Sequence, residues 1–151
     1  QALSLLARTE HSTFLLRQKL LQRGYGAPVI AAVLDDLSAT GALSDERFAE
    51  SWVRSRLRSH PEGRSHLVAG LRERGVDAVL AEDAVTRVLR DESVSLADTA
   101  RDYAERLLRR GPQPSRKLAD RLYRRGFSSA IVRQVVSELA DPDDELSDSW
   151  P

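Results

Sequence analysis

Residues 67–76 read Leu67-Val68-Ala69-Gly70-Leu71-Arg72-Glu73-Arg74-Gly75-Val76, and the same figure stands twice more in the chain. A shift of 51 residues in either direction places Leu67 on Leu16 and Leu118, Leu71 on Leu20 and Leu122, Arg74 on Arg23 and Arg125, and Gly75 on Gly24 and Gly126. Two leucines four apart share one helix face, and a glycine after the last turn sits where a left-handed residue ends a helix. Apolar character keeps the register at Tyr25/Val76/Phe127, Val29/Leu80/Ile131, Val33/Ala84/Val135, Leu34/Val85/Val136 and Leu37/Val88/Leu139, and upstream at Leu6/Leu57/Leu108. No gap is needed. The chain reads as three copies of one unit.

The unit reads as three helices. In the middle copy Ser44 is a good N-cap before Asp45, Glu46 and Arg47, with the acids in the first turn where the helix dipole favours them. Phe48/Trp52 and Ala49/Val53/Leu57 then recur at helical spacing, and His60-Pro61-Glu62-Gly63 breaks the helix. A short second helix carries Leu67 and Leu71 and stops at Gly75; a third runs over about 77–89. The last copy predicts helices over about 95–110, 115–125 and 128–139, with the break at Gly111-Pro112-Gln113-Pro114 and Ser115 as cap.

The expected architecture is therefore all-α, with three tandem, helix-turn-helix-like units in an elongated curved array. Their bounds are 1–43, 44–92 and 93–140, followed by an acidic disordered tail over 141–151. The first copy is expected to lack about two turns of its first helix, with Leu3, Leu5 and Leu6 as the remnant, and the missing initiator Met suggests trimming.

The 151 residues include 23 basic and 23 acidic side chains, but the balance is local. Residues 1–100 carry a net of −1, residues 101–133 a net of +7, and Glu138 to Asp148 a net of −6. A neutral whole with a basic block points to a local anion-binding face. Of the cations, 21 are Arg, which fits GC-rich coding as well as any function.

Catalytic signatures are missing. There is no Cys, which removes thiol chemistry and Cys-based zinc sites and fits a reducing compartment. His11, His60 and His66 lie in or beside breaks without metal-ligand spacing, and surface or capping roles are expected of them. Gly24-Tyr25-Gly26 follows a helix, whereas a dinucleotide loop follows a strand. No apolar run approaches a membrane span and no signal peptide opens the chain, so a soluble, cytoplasmic, monomeric non-enzyme without metal or cofactor is expected.

The helix-turn-helix layout suggests a repressor, but the charges argue against one. A recognition helix should offer Arg, Lys, Asn or Gln to base edges. The third helix of copy one carries Asp35 and Asp36, that of copy two Glu82 and Asp83, and copy three only Arg133 and Gln134 between apolar residues.

The cations cluster elsewhere. Arg54, Arg56, Arg58 and Arg64 surround the break in copy two. Arg106, Arg109, Arg110, Arg116, Lys117, Arg121, Arg124 and Arg125 surround the break and second helix in copy three. Two readings stand for these residues: a stripe that meets phosphates or an acidic protein surface, and a solvated face. Arg23, Arg74 and Arg125 are last-turn cations that offset the helix dipole, and Phe48, Trp52 and Tyr103 fall on the apolar stripe and read as core.

The run Gly41-Ala42-Leu43-Ser44-Asp45-Glu46-Arg47-Phe48-Ala49-Glu50, followed by Gly63 and Leu71-Arg72-Glu73-Arg74-Gly75-Val76, resembles the RecX family of recombinase regulators. Ala2-Leu3, Leu16, Lys19-Leu20 and Gly24-Tyr25 are similar to its first repeat, and Leu122-Tyr123-Arg124-Arg125-Gly126-Phe127 to its last. The resemblance covers about residues 2–140. It implies an all-α array that binds RecA, lodges in the RecA filament on single-stranded DNA and reduces ATP hydrolysis, strand exchange and stimulated repressor cleavage, with weak DNA binding. Asp45, Arg47, Phe48 and Gly63 match the family pattern. It implies architectural roles for Phe48 and Gly63 and a partner contact for Asp45. The truncated start and the acidic tail depart from it. A nucleic-acid-binding helical module without a RecA partner is the competing expectation.

Overall fold

The computed structural model describes residues 1–139, so the predicted acidic tail lies outside the described residues. Among the described residues there are nine helices and no strand: α1 (Ala2–Leu6), α2 (Thr13–Gln22), α3 (Ala27–Ala39), α4 (Asp45–Ser59), α5 (Arg64–Glu73), α6 (Ala78–Asp91), α7 (Leu96–Leu108), α8 (Ser115–Arg124) and α9 (Ser129–Leu139). They fall in three successive sets of three, in register with the repeat.

Local signals set most of these bounds. Ser44 Oγ accepts the Arg47 amide at 3.2 Å to cap α4. Ser95 Oγ accepts the Asp98 amide at 3.1 Å to cap α7. Each second helix ends in one backbone motif. In α5 the Val76 amide donates to Leu71 O at 3.1 Å and the Gly75 amide to Arg72 O at 2.9 Å. Gly75 holds φ +80°, and its equivalents Gly24 and Gly126 hold +85° and +83°. A side chain would be strained there, which is why the Arg-Gly pair recurs.

Ser115, expected as a cap, is instead the first residue of α8 and is buried; the N-cap is Pro114, which offers no side-chain acceptor. The proline's fixed φ suits the extended cap position, so the break ends one residue earlier than the cap pattern suggests. His11, expected at the surface or in a capping role, is buried. Lys19 Nζ stands 2.7 Å from its Nε2, and its Nδ1 lies 2.9 Å from Thr9 O. An ammonium only donates, so Nε2 accepts and Nδ1 carries the proton. His60 and His66 are exposed.

The described residues form two compact units: residues 1–55 with 68–88, and residues 56–67 with 89–139. Contacts thus divide the middle set of helices, with α4 and α5 each contributing to both units. In the first unit Ala2, Leu16, Leu20, Ile30, Leu34, Leu37 and Leu43 form one core cluster. In the second, Ala100, Ala104, Leu107, Leu118, Ala119, Leu122, Phe127, Val132, Val135 and Val136 form another. The signature leucines Leu16, Leu67, Leu71, Leu118 and Leu122 are all within 1% of full burial. Each contributes about 2 kcal/mol relative to exposure in water.

Both units contain the same joint, displaced by one repeat. In the first, Ser12 Oγ accepts the Leu15 amide at 3.2 Å and donates to Arg74 O at 2.5 Å. In the second, the Gly63 amide donates to Arg125 O at 2.7 Å. Ser12 and Gly63 are repeat equivalents, as are Arg74 and Arg125. The start of one second helix is tied to the end of the next. A Cβ at Gly63 would stand 2.1 Å from Gly126 O and 2.3 Å from Phe127 N, so the expected architectural glycine is required by a backbone 63 residues away.

Candidate functional site

The predicted basic residues separate into three groups by what they touch. Near the break that follows α4, Arg54 Nη2 donates to Glu50 Oε2 at 3.2 Å. Arg56 Nε donates to Glu62 Oε2 at 3.1 Å, and its Nη2 to Glu62 Oε1. Glu62 is buried, so this carboxylate is committed to Arg56 rather than to solvent. Arg58 is exposed and Arg64 half-buried. Arg54 and Arg56 are therefore neutralised from within.

Around α8 the picture reverses. Arg116, Lys117 and Arg124 are exposed and Arg121 is half-buried, while Ser115, Leu118, Ala119 and Leu122 fill the opposite, buried side. One acid, Asp120, interrupts the basic side. Among the described residues none of Arg110, Arg116, Lys117, Arg121 and Arg124 forms a salt bridge. In the last turn of α7, Arg106 Nε donates to Asp102 O at 3.1 Å. Arg109 is 3.9 Å from Glu105 and largely exposed, a pair of little energetic weight. The basic residues from Arg106 to Arg124 thus flank the 111–114 turn, with the unpaired ones concentrated on α8. Such a face attracts phosphate or carboxylate by charge without reading bases.

Arg125 belongs to a third group. Its guanidinium lies 5.1 Å from the Tyr103 ring centre, as Arg74 lies 4.8 Å from that of Trp52. Arg74 Nη1 also donates to Gly70 O in the last turn of α5 at 2.7 Å. Arg23 closes the series by donating to the Gln1 side chain. These three cations brace their own repeats. Trp52 and Tyr103 are half-buried beneath them, and Phe48 is buried in its core.

The other family-pattern residues are held by partners within the chain. Asp45 Oδ1 accepts the Thr13 amide at 2.6 Å, so it caps α2 while opening α4. Arg47 Nε donates to Glu10 at 3.0 Å and its Nη2 to Ala42 O at 3.2 Å. No local sequence rule announces Arg56–Glu62 or Asp45–Thr13, because a helix end or two intervening helices separate the partners.

Two further ion pairs escape the sequence reading and share a position. Arg87 Nη1 donates to Glu50 at 2.7 Å and to Glu46. One repeat on, Arg101 Nε donates to Glu138 at 2.8 Å and its Nη1 to Asp98 at 2.6 Å. Glu50 is the equivalent of Arg101 and Arg87 of Glu138, so the same latch between first and third helices recurs with its polarity inverted. Hydrogen bonds from Glu46 and Glu50 raise the Arg87 pKa above its ordinary value, and those from Glu138 and Asp98 raise that of Arg101. Arg101, and after it Gln134, holds the Glu138 carboxyl below the usual range.

Among the described residues no group of three or more His, Asp or Glu side chains is placed to hold a metal. Nor is any helix there long and apolar enough to cross a membrane.

The family model described as RecX, second three-helix domain, matches residues 44–85. That of RecX, first three-helix domain, matches twice, at residues 1–37 and 100–139. The chain is 41% identical over 139 residues to the regulatory protein RecX of Mycobacterium sp. (strain KMS), covering 83% of this chain and 72% of that one. It is 39% identical over 148 residues to the regulatory protein RecX of Halorhodospira halophila, covering 95% and 88%. The crystal structure of RecX from Lactobacillus salivarius shares its fold, with a TM-score of 0.79 over 91% of each chain at 24% identity. The repeat, the helical fold and these matches agree: the chain belongs to the RecX family.

Proposed function

We propose that this chain is a cytoplasmic regulator, not a catalyst, that binds RecA and its filament on single-stranded DNA. It restrains the filament and thereby inhibits RecA ATPase, strand exchange and co-protease activity. Family membership supports the regulatory role, since its relatives carry the name regulatory protein RecX. The observation that carries the contact is the α8 face, where Arg116, Lys117, Arg121 and Arg124 project without an internal acidic partner among the described residues. Cations already held by Glu50 or Glu62 must break those pairs to meet a ligand; those of α8 have no such pair among the described residues.

The mechanism is steric and electrostatic. A chain that binds more than one RecA protomer favours one filament geometry, and so opposes the changes that ATP turnover requires. The α8 cations approach DNA phosphate or an acidic RecA surface as this happens. The unpaired cations equally favour the second reading, a nucleic-acid-binding module without a protein partner, which predicts equal affinity for naked DNA and a steep salt dependence.

Steady-state ATP hydrolysis by the cognate RecA on single-stranded DNA, with free DNA in excess, separates the two. Inhibition well below the concentration of DNA sites is expected for the filament-directed regulator. Inhibition only as the protein saturates the DNA overturns that reading in favour of the module. Reversal of Arg116, Lys117 and Arg121 to Glu is expected to weaken filament binding with helicity unchanged; unaltered affinity would remove α8 from the contact.

A further inference from the structure

The charges of the two latches follow an order along the chain. At one repeat position the third helices α3, α6 and α9 carry Asp36, Arg87 and Glu138, which alternate in sign. At the matching position of the first helices, α4 carries Glu50 and α7 carries Arg101. Within the first unit α4 meets α6, where Arg87 donates to Glu50 at 2.7 Å and to Glu46. Within the second unit α7 meets α9, where Arg101 donates to Glu138 at 2.8 Å. Each first helix thus attracts the third helix that follows it. The third helix that precedes it bears the same sign: Asp36 before Glu50, and Arg87 before Arg101. Asp36 is exposed and forms no ion pair among the described residues.

The like charges fall where a wrong pairing is easiest. The five residues 40–44 join α3 to α4, and the four residues 92–95 join α6 to α7. Both are lengths that fold a helix back on the one before it. The native pairings need longer connections, 60–77 between α4 and α6 and 109–128 between α7 and α9, and the shorter closure costs less entropy. Apolar residues discriminate poorly, because the third helices offer equivalent ones beside the latch: Val33 and Leu37, Ala84 and Val88, Val135 and Leu139. We propose that the alternating charges are a register code. Like charge turns each first helix away from the third helix behind it, and opposite charge seats it on the one ahead. The pairs are too solvated to add much stability, but they choose among near-equivalent seats while the chain folds. This inference does not depend on RecA or DNA binding.

Refolding of recoded chains tests it. Asp36→Arg breaks no native ion pair, yet makes α3 attractive to Glu46 and Glu50 of α4. Its equilibrium stability in urea should hold or rise, since a cation suits the last turn of α3. On dilution from urea, the ratio of fast- to slow-refolding chains, read by stopped-flow circular dichroism, should fall about fivefold against the parent, the effect of exchanging a repulsive pair for an attractive one. Asp36→Asn, which removes the repulsion alone, should fall in between. A second chain joins Asp36→Arg to Glu46→Ala, Glu50→Arg, Arg87→Glu, Asp98→Ala, Arg101→Glu and Glu138→Arg. It reverses every sign but restores the alternation, so it should return to the parent ratio. A latch that only braces the folded state predicts no change for Asp36→Arg, and an unchanged ratio there would overturn the proposal. Failure of the fully reversed chain to recover would overturn it too, because the order of signs would then be irrelevant. In about 1 M salt the parent and Asp36→Arg should refold alike, since screening removes the code; a difference that persists would assign the effect to something other than charge.

Discussion

The two joints use the same positions and different chemistry. At Ser12 a side-chain hydroxyl makes the contact to Arg74 O, so the two backbones keep a side chain's breadth between them. At Gly63 the backbone amide itself makes the contact to Arg125 O, and the chains approach until a Cβ would overlap Gly126. The repeat thus conserves the bond and not the donor. A hydroxyl joint tolerates substitution by loss of one hydrogen bond and one cap; a backbone joint tolerates no side chain.

The sharpest way to break this contrast is to place alanine at each joint. Gly63→Ala should destabilise the protein by about 3 kcal/mol, because the obstacle is backbone that cannot rotate away. Thermal unfolding followed by circular dichroism reads this, and a midpoint within a degree of the parent would refute the close approach. Ser12→Ala should lose about 1–2 kcal/mol, the sum of a lost cap and an unsatisfied buried carbonyl. If Ser12→Ala proves the more damaging of the two, the joints have been ranked wrongly.

The terminal glycines sharpen the comparison further. Gly24 has positive φ and nothing within 4 Å of an added Cβ, whereas at Gly75 the same atom would meet Phe14 at 2.2 Å. Gly24→Ala should therefore report backbone strain alone, about 1 kcal/mol. Gly75→Ala should exceed it, and the excess should shrink in a Phe14→Gly background, which removes the Phe14 Cβ that stands at 2.2 Å. Equal losses at the two sites, measured by urea unfolding, would mean that Phe14 yields freely.

The smallest effect belongs to the inverted latch. Arg101 and Glu138 are both partly solvated, so their pair contributes little at neutral pH. Arg101 depresses the Glu138 carboxyl in the folded state. Its contribution is present above the unfolded glutamate pKa and is lost as pH falls through the lower folded value. Glu138→Gln should flatten that part of the acid limb in a stability–pH profile and leave the profile above it parallel to the parent. In the other unit, Glu50→Arg combined with Arg87→Glu should recover part of what each single substitution loses, with Glu46 opposing full recovery. A double-mutant cycle without coupling would deny the latch.

Residues with local duties were legible from the chain alone. Period, leucine spacing, Ser44 as cap and the Arg-Gly endings located the helices to within a few residues, because each signal acts within one or two turns. Of the candidate site, the clustering of cations in 101–133 was equally plain. Which cations are available was not, because Glu62 meets Arg56 across a helix end and Arg125 turns onto Tyr103.

The amino-acid sequence by itself determined the all-α class, the repeat and the places where each helix stops, since these follow from side-chain periodicity and backbone preference at neighbouring residues. Tertiary structure alone decided that Gly63 must lack a side chain, that His11 and Glu62 are buried, and that, among the described residues, α8 rather than the α4–α5 break presents unpaired charge. Those outcomes depend on which atoms fold against each position, in the joints on residues some sixty places away. No pattern confined to neighbouring residues records them.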